Sequence, residues 1–479
     1  LPQVVRTARV MKRAVALLQP RMQAEKEKAF ARGNAREAIC GIVATVKGDV
    51  HDIGKNLVAV VMECNHYCII DLGVMVPTHR VVEAVLEHKA QFVGLSGLIT
   101  PSLEEMVVVA RAMRQAGLTV PLLIGGATTS EEFTALRIAP EYNGLVLHCA
   151  DAARNITYLS RYFSKDSLVR DAFVKEVRAS QEKLRRAYEL KNSNRQLLSV
   201  AEARANKWVD DEKPDTTDDF VPPFTGKREM KIPFALLRPL INWTAFLSAW
   251  EMNSRASEKE GFSKQSGELL ADAGALLDEL IAGKYGDVAF ARAVAGFWPV
   301  SSTSEDHILF YADDSLRNMI LDLPMERDLL RREDNQPNLC LSDFVVQAEH
   351  GQKPGYAGLF VITASSEFIE KQVGVFNEEG DIYRSLLLKS LLDRMAEACS
   401  EYLHRVFMPA PGGGIRGIRP AFGYPSCPDH SLKKEVMAIL EAAESLGVRL
   451  TSSYMIEPGA SLCGMYLGHP GARYFSVHK

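Results

Sequence analysis

The run Ile39-Cys40-Gly41-Ile42-Val43-Ala44-Thr45-Val46, followed by Lys47-Gly48-Asp49-Val50-His51-Asp52-Ile53-Gly54, decides the fold. The first eight residues are a short apolar run, the pattern of a strand buried on both faces. The next eight are polar and carry glycines, and a helix is expected from about Gly54 to Asn65. The run therefore reads strand, turn, helix. The same unit recurs downstream. Strands are expected at 67–72, 92–96, 121–124 and 145–147, each followed by a helix: 78–89, 102–116, one from Ser130, and 151–163. Five such units predict an α/β, flavodoxin-like (Rossmann-like) domain over residues 38–164. Its five-stranded parallel sheet should be covered by helices on both faces and bind ligands at the carboxyl ends of the strands.

Upstream, Val4, Val5, Met11, Val15, Leu18 and Met22 fall at helical spacing, and the chain opens on Leu1. Residues 1–37 are expected to be a helical piece continuing from chain that precedes it. Downstream, residues 165–220 are rich in charge, with sparse apolar positions such as Phe173 and Val177. The stretch from Asp210 to Asp219 is acidic and holds Pro214. A charged helix and an extended, solvated linker are expected there. From residue 221 to 479, helical segments (243–250, 267–281, 386–406, 432–446) mix with strand-like runs (308–311, 358–363, 464–466). Regular βα alternation is gone, which predicts a separate α+β domain.

With 479 residues the chain can bury two or three cores. A net charge of −4 gives no basis for general nucleic-acid binding, and no apolar run is long enough to span a bilayer. No secretory pattern opens the sequence, so a cytoplasmic monomer is expected. The eight cysteines form no CxxC pair and no zinc-spaced cluster, and are expected to be reduced, mostly buried thiols.

The turn after the first strand carries the first candidate site. Gly48 and Gly54 allow close approach of a bulky ligand, and a histidine on this turn points out of the sheet top. Asp49 stands two residues before His51, where a carboxylate can hydrogen-bond the imidazole nitrogen that does not face a metal. Alone, His51 would be an incidental polar residue. Two further features stand at later strand ends: Ser96-Gly97-Leu98 after the third and Gly125-Gly126 after the fourth. Between Gly54 and Ser96 lie 41 residues, and between Leu98 and Gly125 lie 26.

This DxHxxG, SxL, GG series resembles the cobalamin-binding module of methionine synthases, methylmalonyl-CoA mutases and glutamate mutases. The wording KGDVHDIGKN, DLGVMVP, GLSGLITPSLEEM and PLLIGGATTS is most similar to the cobalamin-dependent methionine synthase family. The resemblance implies that His51 replaces the cofactor's own base as lower ligand to cobalt, in a relay with Asp49 and Ser102. Gly48, Asp49, Val50, His51, Asp52 and Gly54 would contact cobalamin at the turn. Ser96, Leu98, Thr100, Gly125, Gly126 and Ala152 would line the path of its nucleotide tail. Gly97, Gly125 and Gly126 would be small so that the tail can pass.

In the C-terminal domain, Arg419-Pro420-Ala421-Phe422-Gly423-Tyr424-Pro425 is a rigid glycine-bearing loop with one guanidinium suited to a carboxylate. It resembles the RPxxGYP motif of the same family's activation domain. That implies S-adenosylmethionine contacts at Arg419, Ala421, Gly423 and Tyr424, with Glu397 as an acidic contact and Tyr474 and Phe475 near the adenosine. Asn242 stands where the family has Asp, and an acid shortly before the motif has no counterpart. The resemblance further implies methylcobalamin as cofactor, a flavodoxin-type reductant, and homocysteine and folate domains elsewhere in the same polypeptide, zinc belonging to the former. Residues 1–37 would be the end of the helical cap. The alternative is a corrinoid carrier or cobalamin sensor without methyl-transfer activity. An ordinary flavodoxin or nucleotide domain ranks last, because neither GxGxxG nor GxxxxGK[ST] follows the first strand.

Overall fold

The structure, a computed structural model, describes residues 39–98, 100–126, 128–192, 197–209, 220–250, 252, 260–286, 288–332, 336–348, 353–410 and 412–479. The cap expected over residues 1–37 and the acidic stretch from Asp210 to Asp219 lie outside them. The described residues form two units that do not follow chain order. The first contains the residues up to Glu189 together with Trp243–Asp278 and Lys371–Leu391; the second contains Leu190–Asn242, Glu279–Glu370 and Leu392–Lys479.

In the first unit, β1 (Cys40–Thr45), β2 (Cys68–Asp71), β3 (Phe92–Ser96), β4 (Leu122–Gly125) and β5 (Val146–His148) form one sheet in the order β2-β1-β3-β4-β5. Every pairing is parallel. This is the flavodoxin-like order expected from the alternation, and it places the topological switch between β1 and β3. The intervening helices are α1 (Ile53–Cys64), α2 (Thr78–Glu87), α3 (Thr100–Gln115) and α4 (Ala152–Tyr162). The helix expected from Ser130 is shorter and irregular. Ser130 caps Glu131–Phe133, a π turn takes over at Thr134–Ile138, and a 3-10 turn closes at Ala139–Glu141. Pro140 lacks the amide hydrogen a longer α-helix would require. Gly41 stands opposite Phe92, and a Cβ there would lie 2.1 Å from the ring, so that position must be bare.

The charged segment after Phe163 departs from expectation. It forms α5 (Ser167–Asn192), and Phe173 on it is fully buried in the cluster of Met62, Phe92, Leu123 and Leu147. Gln181 Nε2 donates to the carbonyl of Val146 (2.8 Å) and Arg185 Nη1 to that of Ala135 (3.1 Å). The sparse apolar residues are a docking stripe, so this helix is not a solvated connector. A second departure concerns the thiols. The register of β1 and β2 sets Cys40 beside Cys68 with Cα atoms 4.4 Å apart, and the two are joined in a disulfide. The other six cysteines are free, five of them buried.

The second unit is built on an antiparallel sheet. Its strands are β6 (Gly226–Pro233), β7 (Phe290–Ser302), β8 (His307–Tyr311), β9 (Met319–Pro324), β10 (Gly355–Thr363) and β11 (Ser461–Leu467). The order is β11-β10-β7-β8-β9, with β6 also on β7. One edge of β7 serves two partners: β6 as far as Phe297, and β8 from Val300. Pro299 falls in the gap between them, where no partner strand on that edge needs its missing N–H. The longer helices that follow α5 along the chain are α6 (Trp243–Ala249), α7 (Glu260–Ile281), α8 (Glu367–Glu378) and α9 (Ile382–Phe407), the last of which contributes Glu397, Ser400 and Glu401 to this unit. The single helix expected over 432–446 is two, Lys433–Ile439 and Ala442–Leu446, because Glu441 adopts a left-handed φ of 50° between them.

Phe173→Ala should cost about 3–5 kcal/mol of stability, the usual loss for a fully buried aromatic ring. Urea unfolding of the full chain reads it; an unchanged midpoint would mean that α5 does not pack as described.

Candidate functional site

β1 ends at Thr45, and the chain turns through Gly48, whose φ of 79° is left-handed. The amide of Asp49 donates to Val46 O (3.2 Å) and that of Met75 to Asp49 O (3.0 Å), which pins the turn. The Asp49 side chain is wholly buried and accepts four hydrogen bonds. Its Oδ1 takes the amide of His51 at 3.0 Å and His51 Nδ1 at 2.7 Å. Its Oδ2 takes the amide of Leu98 and the hydroxyl of Ser102, each at 2.6 Å. Burial pushes the Asp49 carboxyl up. The hydrogen bond and charge of His51, the Ser102 hydroxyl and the Leu98 amide outweigh it and hold the group at about 2. An ionised carboxylate only accepts, so Nδ1 of His51 carries a proton and donates it to Asp49. Thr45 Oγ1 donates to the His51 carbonyl (3.1 Å), fixing the backbone beneath the ring.

The other expected residues at this edge are placed as follows. Val50 is partly buried between Asp49 and His51. Asp52 precedes α1 but makes no capping bond; its carboxylate is held instead by Lys389 Nζ at 2.6 Å. Gly54 lies in the first turn of α1, and a Cβ there would meet nothing within 4 Å. Ser96 ends β3, Leu98 is partly exposed beyond it, and Thr100 opens α3. Gly125 ends β4, and the buried Ala152 opens α4. The glycines also have a packing reason. A Cβ on Gly97 would meet the Ser102 side chain at 2.5 Å, and one on Gly126 would meet the Gly97 carbonyl at 1.8 Å. Gly126 also has a φ of 124°. Close packing of the β3 and β4 loops on one another therefore demands both; only Gly125 has ordinary room. His148, the last residue of β5, stands at the same edge and escaped the sequence reading because its surroundings form no motif.

In the second unit, the segment from Ile418 to Phe422 runs along β11. Ile418 exchanges backbone bonds with Leu467, Met465 N donates to Pro420 O, and Phe422 N donates to Cys463 O. The C-terminal residues close the other side: Phe475 N donates to Ser426 Oγ (3.0 Å), and the amide of Arg419 donates to Tyr474 Oη (3.1 Å). Between them lies a cavity of about 460 Å³, lined by Glu397, Arg419, Ala421, Tyr424, Tyr474 and Phe475 among the expected residues. Phe360, Ser400, Ser426 and Leu462 also line it. Sequence spacing could not show this, because they come from β10, α9, a turn and β11.

Gly423 lies behind the cavity wall with a φ of 93°, and a Cβ on it would sit 2.2 Å from the His430 ring. Tyr424 keeps half its surface open while its hydroxyl is sunk toward Glu397; burial of that end, with the Glu397 charge, pushes the phenol up to about 12. Arg419 meets an acid after all. Its Nη2 pairs with Glu401 at 2.9 Å and its Nε donates to Ser400 Oγ at 3.2 Å. Both come from α9 rather than from the segment before the motif. Asn242 is exposed just before the helix Trp243–Ala249 and does not line this cavity. A guanidinium, a carboxylate and four aromatic rings around one cavity suit a ligand with amino-acid termini and a flat heterocycle.

Residues 39–142 match the B12 binding domain family. Residues 233–408 and 413–479 match the family described as vitamin B12 dependent methionine synthase, activation domain. The chain belongs to the vitamin B12-dependent methionine synthase family. Among solved structures, one described as the MetH reactivation domain bound to AdoHcy is similar at 31% identity, covering 59% of this chain and 90% of that one, with a TM-score of 0.54. The methanol:cobalamin methyltransferase complex MtaBC of Methanosarcina barkeri matches at 26% identity over 29% of this chain and 54% of that one, with a TM-score of 0.26. The monomethylamine corrinoid protein of Methanosarcina barkeri matches at 27% identity over 33% of this chain and 70% of that one, with a TM-score of 0.23. The chain thus joins a B12 binding domain to an activation domain. No helix among its described residues is long and apolar enough to cross a membrane.

The depressed Asp49 pKa has a signed consequence. A carboxyl held at about 2 in the folded chain contributes stability above its ordinary value of 3.8 and loses it as pH falls toward 2. The shift corresponds to about 2 kcal/mol. Urea unfolding between pH 5 and 2.5 should show this loss in the wild type and its absence in Asp49→Asn. Parallel pH profiles would contradict the ionised, hydrogen-bonded carboxylate.

Proposed function

We propose that this chain is the part of a cobalamin-dependent methionine synthase that holds methylcobalamin and restores it when it is inactivated. The first unit would bind the cofactor base-off, with His51 as lower ligand through Nε2, Asp49 and Ser102 behind it. The observation that supports this reading is the four-bonded Asp49 carboxylate, which holds Nδ1 of the His51 ring and so fixes the direction in which Nε2 points. Fit to a corrinoid is supported by that imidazole, by Gly54, whose missing side chain would face open space, and by a buried nitrogen of His148 without a partner among the described residues.

When bound, the cofactor supplies a cobalt centre that accepts a methyl group from 5-methyltetrahydrofolate and gives it to homocysteine. What the chain's own residues do follows from their bonds. Asp49 would keep a proton on Nδ1 of His51 and fix the ring plane, so that Nε2 would be the nitrogen to hold cobalt. A proton on Nε2 instead would give an imidazolium that the buried carboxylate would stabilise. Ser102 would keep the second carboxylate oxygen occupied in either case.

The second unit would take S-adenosylmethionine in the cavity behind Arg419, with Glu397 and Tyr424 near its amino-acid end and Tyr474 and Phe475 beside the adenosine. This would support reductive remethylation with electrons from a flavodoxin-type protein. Homocysteine and folate domains of the same polypeptide would supply the main reaction's other substrates. A carrier or sensor without methyl transfer would have no use for residues 233–408 and 413–479, whose activation-domain match favours the enzyme.

His51→Ala should still fold and bind cobalamin. Electron paramagnetic resonance of its cobalt(II) form should lack the nitrogen splitting of the wild type, and retained splitting would remove His51 as the ligand. Arg419→Ala should weaken S-adenosylmethionine about tenfold or more, the value of a charge-assisted pair. Calorimetry measures it, with equal affinities counting against the cavity.

A further inference from the structure

His148 closes β5 at the carboxyl edge of the sheet, in register with Ile124 and next to the Gly125-Gly126 turn. Thr129 Oγ1 donates to the carbonyl of Gly126 at 2.7 Å, which uses its only hydrogen. The same oxygen lies 3.1 Å from His148 Nε2, so it must accept there, and Nε2 carries the imidazole proton. Nδ1 is then a bare lone pair. It is buried and has no hydrogen-bond partner among the described residues. The charged neighbours do not supply one: Arg154 Nη1 is held by Glu131 at 2.9 Å. A buried acceptor left unpaired costs free energy on the order of 1–3 kcal/mol, so such groups ordinarily mark a missing partner. Burial lowers the ring's proton affinity, which keeps it in the neutral, accepting form near neutral pH.

We propose that His148 Nδ1 accepts a hydrogen bond from the nucleotide tail of the cobalamin cofactor, from a ribose hydroxyl or an amide N–H. The tail's phosphate is excluded as the partner, because it has no hydrogen to give to a bare nitrogen. This rests on the reading that the cofactor binds base-off with its tail against the sheet. His148 would then be a specificity-determining residue, selecting corrinoids that carry a donor-bearing tail over those that lack one.

The test compares methylcobalamin with methylcobinamide, which has no nucleotide, by absorbance titration of the full chain. The wild type should prefer methylcobalamin. His148→Phe, which keeps a ring of similar size but removes the acceptor, should lower that preference about tenfold while leaving methylcobinamide affinity unchanged. His148→Gln, whose amide oxygen can accept, should recover part of the preference. If His148→Phe keeps the full preference, or weakens both ligands alike, His148 is not the tail's partner. If the wild type itself binds the two corrinoids equally, the tail does not engage the sheet, and the base-off reading falls together with this one.

Discussion

A single buried carboxylate organises the first unit's ligand edge. Asp49 has no exposure to solvent, and an ionised group there is tolerable only if every part of its charge is met. It is met by donors from three places in the chain: the His51 backbone and ring, the Leu98 amide and the Ser102 hydroxyl. The same bonds that satisfy the charge therefore fasten the β1 turn to the β3 loop and to the start of α3. Removing one donor would leave the carboxylate under-satisfied and loosen the attachment of the His51 loop. The orientation of the imidazole is thus set by the demand of a buried charge, and the fold and the chemistry share one constraint.

That constraint also explains how closely the strand ends pack. The Leu98 amide can reach Asp49 only if the β3 loop lies low over the sheet. Gly97 then touches Ser102, and Gly126 rests on the carbonyl of Gly97. Side chains at either glycine would lift the loops apart. The topological switch between β1 and β3 is what brings the two loops together, because their connections leave toward opposite faces of the sheet. The second unit solves a similar problem differently. Its cavity is made where an irregular segment, Ile418–Phe422, is hydrogen-bonded to β11 and the last residues fold back over it.

The five parallel strands were legible because each is a short, continuous apolar run, which parallel burial on two faces requires. β7 was not. Its thirteen residues mix Ala, Gly296 and Pro299 with large side chains and show neither alternation nor a uniform apolar run. Only its neighbours account for it: Gly296 yields to the Trp298 ring, and Pro299 sits between the ends of two partner strands. The break at Glu441 was equally hidden, since a left-handed glutamate carries no compositional mark.

The candidate sites divide along the same line. His51 and Asp49 stood out as a pair on a strand-end turn, in series with the motifs after the third and fourth strands. Ser102, Arg419 and Tyr424 were pointed to by the resemblance to a known family. The sequence by itself determined which residue types stand at the ends of the strands, since local pattern sets strand, turn and helix. The tertiary structure alone decided which of them meet: that Glu401 on α9 pairs with Arg419, that the cavity lining does not include Asn242, that Phe173 docks a charged helix, and that a buried nitrogen of His148 has no partner among the described residues. Those contacts join residues distant in sequence, and their distances depend on how whole elements pack, which no local pattern encodes.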